Sequence, residues 1–332
     1  MSAFLRPNEV LANQYRVIRQ IGSGGTALIY DAVNLANGEK VAIKISKEDN
    51  KVSAGIERFR NEYKLLSRFN NPNIIKVLDY IVGSNYEAMI IEHVDGQTLK
   101  QLIRSKGVMS INNSVHYVKQ ILSSLHDIHS KNIYHRDLKP QNVMIAYSGA
   151  VKLLDFGIAK HDAEDGVTKT GKVVGSVQYI SPEILTGDAP SFESDIYAVG
   201  MILFELLTGE TAYKGTNPAQ VAGQIVNTPL PDIRKKNGTV DDSLASIVNK
   251  SLSKKPEDRY TSVAEMGEDL IRWENKIKTL AEDENEYKER SSKSHFTTQY
   301  SIYKKSKLRL VSLVIFALVV LVAIVVLTII MV

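Results

Sequence analysis

The chain has 332 residues, 44% of them hydrophobic and 23% charged. That is enough apolar material for a sizeable core, so the chain does not read as disordered. Its 41 lysines and arginines against 37 aspartates and glutamates leave a net charge of +4, which gives no sign of the concentrated basic face of a nucleic-acid binder. The absence of cysteine excludes a disulfide scaffold and cysteine-based zinc sites.

The opening residues, MSAFLRPNEVLANQYRV, have no apolar stretch of signal-peptide length. From Tyr15 onward, strand-like runs appear: YRVIRQI, ALIYDAV, KVAIKIS, KVLDYIV and EAMIIEHV. A helical pattern over 57–69 interrupts them, with Phe59, Tyr63, Leu66 and Phe69 at three- or four-residue steps. Residues 98–275 read as mainly helical, as in NNSVHYVKQILSSLHDIHS and ESDIYAVGMILFELLTG. A small β-rich lobe followed by a larger helical lobe is the coarse expectation.

The first two runs enclose Gly22-Ser23-Gly24-Gly25-Thr26-Ala27. Glycines let backbone amides approach phosphate oxygens because no Cβ intervenes. An ordinary hairpin turn has the same composition. A dinucleotide-binding turn would lead into a helix, whereas this one returns into a β-type stretch, as a flap between two strands does. Lys44 closes the strand Val41-Ala42-Ile43-Lys44, where it could reach phosphates under the flap. It then needs a carboxylate; Glu62 on the helical pattern fits best, with Glu57 and Glu48 as alternatives.

Further on stands Ile133-Tyr134-His135-Arg136-Asp137-Leu138-Lys139-Pro140-Gln141-Asn142-Val143-Met144. Asp137 can accept or orient a hydroxyl proton. Lys139 can neutralise a transferred phosphoryl group, and Asn142 offers a neutral oxygen to a hard cation. Asp155, in Lys152-Leu153-Leu154-Asp155-Phe156-Gly157, is a second carboxylate suited to bridging Mg²⁺ to phosphate.

Taken in order, GSGGTA, VAIK, the helical glutamate, HRDLKPQN, DFG and SPE resemble the eukaryotic-type (Hanks-type) protein kinase family over residues 15–275. The resemblance implies an α+β, two-lobed kinase fold, with a small lobe of about 15–93 and a large lobe of about 94–275. It implies ATP with Mg²⁺ (or Mn²⁺) in the cleft, bound by Ile21 to Ile29 including Leu28, by Ala42 and Lys44, and by a hinge at Glu92-His93-Val94, with Ile91 at the gatekeeper position and Met144 on the adenine floor. Lys44, Glu62, Asp137 and Lys139 would be catalytic; Asn142 and Asp155 would hold metal. DLKPQN resembles serine/threonine kinases, which act on protein hydroxyls, and Ser176 takes the place of the threonine that usually contacts Asp137.

Arg136, in that family, pairs with a phosphorylated activation loop, which makes Thr168 and Thr170 the expected autophosphorylation sites. Glu183 with Arg259 resembles a structural ion pair, and Asp195 resembles the aspartate that holds the catalytic-loop backbone. The presence of Lys44, Asp137, Asn142 and Asp155 speaks against a binding-only pseudokinase.

After the folded region, residues 276–307 are rich in charge, serine and threonine and read as a juxtamembrane linker. Residues 308–332 carry an uncharged apolar run from Leu310 on, long enough for a transmembrane helix; a buried core helix is the alternative. Lys304, Lys305, Lys307 and Arg309 flank it, which orients the large domain to the cytoplasmic side of a single-pass membrane protein and attracts anionic lipid. This layout resembles bacterial transmembrane serine/threonine kinases. Back-to-back homodimerisation of the small lobes is what that resemblance implies. The extracellular repeats of the group are not seen before Val332, so ligand sensing is not carried over.

Overall fold

The computed structural model describes residues 5–24, 27–46, 54–83, 86–155, 177–283, 288 and 305–308. The chain divides into two units, Met1–Ile271 and Arg272–Val332.

The first unit opens on a six-stranded sheet in the order β1-β2-β3-β4-β6-β5. Its strands are β1 (Val10–Leu11), β2 (Tyr15–Ser23), β3 (Ala27–Asn34), β4 (Lys40–Ser46), β5 (Val77–Val82) and β6 (Glu87–Glu92), every neighbour antiparallel. Side chains alternate between the faces of a strand, and the sheet uses its two faces differently. One face presents Tyr30, Ala32, Ile43, Ile45, Ala88 and Ile90 to a core closed by Leu5, Leu11 and Val17. Residues 5–14 are thus part of this lobe: β1 pairs with β2, and the Leu5 amide donates to the Tyr30 hydroxyl at 3.2 Å. On the other face Lys44 sits between Ile29 and Met89, and Ala42 stands opposite Ile91.

Helix α1 (Ala54–Leu66) buries Ile56, Phe59 and Leu66. The pattern over 57–69 placed it three residues too far along. Past Leu66 the chain tightens, and the Arg68 and Phe69 amides reach back three residues to Leu65 and Leu66, which ends an α-helix in a 3₁₀-type turn.

The larger lobe contains α2 (Leu99–Lys106), α3 (Ile111–Ser130), α4 (Pro182–Thr186), α5 (Phe192–Thr208), α6 (Pro218–Asn227), α7 (Ile233–Lys236) and α8 (Asp242–Ser251), and residues 263–271 are also helical. Helix α5 is buried from Ser194 to Leu207, as expected of a helix that is apolar all round. The reading of 98–275 as mainly helical did not include a three-stranded sheet, β7 (Gly96–Thr98), β8 (Val143–Ala146) and β9 (Val151–Leu153). Glu183 and Arg259 form a two-pronged pair in this lobe, 2.8 and 2.7 Å. Burial pushes the Glu183 carboxyl up, but the Arg259 guanidinium outweighs it and holds it below the usual range.

Backbone and side-chain contacts join the lobes. Ile74 and Leu153 form a parallel bridge, with the Ile75 amide donating to Leu153 O at 2.9 Å and the Leu153 amide to Asn73 O at 2.8 Å. Lys152 Nζ meets Glu92 Oε1 at 2.7 Å.

In the second unit the described residues 272–283, 288 and 305–308 are helical. Among the described residues no helix is long and apolar enough to cross a membrane. The apolar run beyond Leu308 lies outside them.

Candidate active site

The glycine segment joins two antiparallel strands: Ser23 pairs with Leu28, Gly22 with Ile29, and the Gly24 amide donates to Ala27 O at 2.9 Å. It is a hairpin flap and not a strand-to-helix turn. Gly25 and Thr26 lie outside the described residues, as do Glu48, Phe156, Gly157, Thr168, Thr170 and Ser176.

Ile29 and Lys44 share a face of the sheet, so the lysine stands beside the flap. Its Nζ is 2.5 Å from Glu62 Oε1 and 2.6 Å from Asp155 Oδ1. Glu62 is therefore the helical glutamate that meets it; Glu57 points to solvent. Burial works against the Lys44 charge, but the two carboxylates outweigh it and hold the ammonium well above its ordinary range. The two carboxylates around the lysine are not equivalent. Glu62 is 14% exposed and Asp155 49%, and water stabilises the more open charge. Burial pushes the Glu62 carboxyl up, to about 7, against the pull of Lys44 and with the Asp155 charge adding to the push. Burial opposes ionisation of Asp155 too, yet Lys44 prevails and keeps its carboxyl below the usual range.

On the large lobe, Lys139 Nζ lies 2.6 Å from Asp137 Oδ2. Asn142 Nδ2 donates to Asp137 O at 2.8 Å and to Asp137 Oδ2 at 3.1 Å. The Leu154 amide donates to Asn142 O at 2.9 Å, which sets the residue before Asp155 against this loop. The loop turns because Arg136 adopts φ 65°, a conformation disfavoured for a residue with a long side chain. Asp195 stabilises that turn: Oδ2 accepts the His135 amide at 2.8 Å and Oδ1 the Arg136 amide at 3.1 Å. His129 Nε2 is 2.9 Å from Asp195 Oδ2. His135 is fully buried, and burial holds its imidazole below the ordinary value.

The residues expected around a nucleotide base fall on several elements. Ile21 is half exposed on β2 and Leu28 lies on β3. Ala42 on β4 is opposite Ile91 on β6, Val94 follows β6, and Met144 on β8 pairs with Thr98 and Lys152. The Glu92 carboxylate is engaged by Lys152 and by the Lys76 amide at 2.8 Å.

The donor set suits a small hard cation. The Asn142 amide group is committed to Asp137, so its carbonyl oxygen is the end able to meet a cation, and Asp155 is a half-open carboxylate. Mg²⁺ is commonly held by one or two protein oxygens plus phosphates. A dedicated metal cage is not needed, and no group of three or more His, Asp or Glu suited to one occurs among the described residues.

His129 as a partner of Asp195 was not legible in the sequence, since 66 residues separate them. Nor was the Lys152–Glu92 contact, 60 residues apart. No local pattern marks either.

A sheet lobe over a helical lobe, with a lysine and two carboxylates beside a glycine flap and an Asp-Lys-Asn loop next to them, is the architecture of a protein kinase. The family model described as "Protein kinase domain" matches residues 15–270, and the chain belongs to that family. It is similar to the probable serine/threonine-protein kinase PknB of Lactococcus lactis, 38% identical over 264 residues, which is 79% of this chain and 42% of that protein. Serine/threonine-protein kinase PrkC of Bacillus subtilis is 34% identical over 284 residues, 82% of this chain and 43% of its own length. Serine/threonine-protein kinase PknB of Mycobacterium tuberculosis is 36% identical over 273 residues, 80% and 44%. The chain thus spans less than half the length of these relatives.

Proposed function

We propose that this chain is a serine/threonine protein kinase that transfers the γ-phosphoryl group of ATP to protein hydroxyls. One observation carries the proposal: Lys44 is gripped by Glu62 and Asp155 while Asp137, Lys139 and Asn142 converge on the adjoining loop. The glycine flap covers the phosphates, Lys44 neutralises their charge, and Asn142 and Asp155 hold Mg²⁺, which supplies charge neutralisation when bound. Asp137 orients the acceptor hydroxyl and receives its proton. The hydroxyl oxygen bonds to the γ-phosphorus as the bond to the β-phosphate bridging oxygen breaks, and Lys139 stabilises the equatorial charge. Catalysis is then mostly positioning and electrostatics.

The same proposal includes autophosphorylation at Thr168 and Thr170. It includes anchoring by residues 308–332 in the cell membrane with the kinase domain cytoplasmic, contact of Lys304, Lys305, Lys307 and Arg309 with anionic lipid, and homodimers through the small lobes. The uncharged length of the run and its basic flank support the anchor.

The test is transfer of labelled phosphate from Mg·ATP to Ser/Thr-containing protein. The parent should transfer, and Asp137→Asn should be slower by about 10²-fold or more. Transfer by Asp137→Asn at the parental rate would sink the assignment. Mass spectrometry finding no phosphate at Thr168 or Thr170 of active protein would remove the autophosphorylation sites.

A further inference from the structure

Helix α1 meets the sheet through a second charged contact besides Glu62–Lys44. Both oxygens of Glu87 accept from Arg60 Nε at 3.0 Å, Arg60 Nη2 also reaches the carboxylate, and the Tyr80 hydroxyl donates to it. The Glu87 side chain is only 2% exposed. A carboxylate so buried requires pairing to keep its charge. Tyr80 also stacks on Tyr63 of α1, ring centroids 4.2 Å apart.

The two charged contacts bear on one another through geometry. On β6, Glu87 and Met89 are two residues apart and share a face. Met89 is opposite Lys44 on β4 and opposite Tyr80 on β5. Lys44, Tyr80 and Glu87 therefore line one face, the face toward α1. At 100° per residue, Arg60 and Glu62 flank the packed stripe of Phe59, Tyr63 and Leu66, about 160° apart. Rolling the helix toward either side pulls one of them off its partner. The polarities are opposite, helix Glu to sheet Lys and helix Arg to sheet Glu, so the pairs cannot exchange partners. The Arg60–Glu87 contact thus opposes, from the other edge of the packed stripe, the roll that would carry Glu62 away from Lys44.

We propose that Arg60, Glu87 and Tyr80 form a positioning cluster that fixes the roll of α1 and so holds Glu62 against Lys44. The inference rests on the kinase reading of Lys44 and Glu62. Its loss leaves Lys44 to Asp155 alone, with the nucleotide still bound by the rest of the cleft. The effect therefore falls on turnover more than on nucleotide affinity.

The test uses the full chain and the variants Glu87→Gln, Arg60→Met and Arg60→Lys, read by steady-state phosphorylation and by amide hydrogen exchange over residues 54–66. Glu87→Gln and Arg60→Met should each lower kcat about tenfold, with KM for Mg·ATP moved by less than about threefold. Exchange across 54–66 should quicken about tenfold. Arg60→Lys, which keeps the charge, should recover most of the loss. Parental kcat in both neutral variants, even with a lowered melting temperature, overturns the inference and reduces the cluster to a scaffold. If Glu87→Gln does not fold, Arg60→Met decides alone, because Arg60 is partly exposed. If the parent transfers no phosphate, the kinase reading falls and exchange still decides: faster exchange confined to 54–66 supports the cluster, and unchanged exchange refutes it.

Discussion

Replacing Asp195 by asparagine removes one acceptor oxygen from a carboxylate whose two oxygens are both engaged. Its two oxygens take the His135 amide at 2.8 Å, the Arg136 amide at 3.1 Å and the His129 ring at 2.9 Å, and the residue is 2% exposed. Asparagine in either flip turns an NH₂ group toward a backbone amide donor. A buried donor left without its acceptor costs about 1–3 kcal/mol. The Arg136 backbone at φ 65° persists only while its surroundings enforce it, so the loop should also shift once the carboxylate is gone. A loss of about 1–3 kcal/mol is expected, equivalent to a fall of about 2–12 °C in melting temperature. Asp137 is the next residue, so kcat should drop about tenfold or more with it. Calorimetry and a phosphorylation assay on the same preparation measure both. Asp195→Asn with parental melting temperature and parental kcat would show that the loop holds its shape without the carboxylate.

Further outcomes follow from other sites. Glu62 keeps its proton to a higher pH folded than unfolded, so the stability it contributes is complete below the ordinary carboxylate value of about 4.5 and is lost as pH rises through about 7. The depressed Asp155 and raised Lys44 titrate outside that window. The parent should therefore lose stability relative to Glu62→Gln between pH 5 and 8 in thermal melts, and parallel curves would contradict this. Arg259→Met strips the partner from the buried Glu183 and should cost about 3–5 kcal/mol; a cost under about 1 kcal/mol by urea unfolding would refute it. A Cβ at Gly96 would stand 2.2 Å from Ile145 O and 2.7 Å from Ala146 Cα. Because these are backbone atoms, Gly96→Ala should destabilise by about 1–3 kcal/mol, read by the same unfolding curves.

The site was largely legible because its chemistry is written in short linear runs. Lys44 ends a strand, and Asp137, Lys139 and Asn142 lie within one loop. Glu62 was placed by helical phase, even though the helix around it begins and ends three residues earlier than the pattern suggested. What stayed hidden depends on pairs distant in sequence. Nothing in the helical pattern singles out Arg60, and its partner Glu87 lies 27 residues on, at the start of a strand whose middle is apolar. Asp195 was known by resemblance, but the His129 contact was not. The β7-β8-β9 sheet was missed because its strands are three or four residues long, too short for alternation to register. Leu5 and Leu11 escaped notice because nothing periodic surrounds them.

The bridge between Ile74 and Leu153, with the Lys152–Glu92 contact beside it, has a kinematic consequence. A rocking motion between the lobes has its axis near such fixed points, and displacement grows with distance from an axis. Asp155 is two residues past Leu153, within about 7 Å along the chain, and so would move little in such a motion. Asp155 is thus tied to the small lobe twice, by its own contact with Lys44 and through the bridge at Leu153, so its place beside Lys44 is set by the backbone as well as by charge.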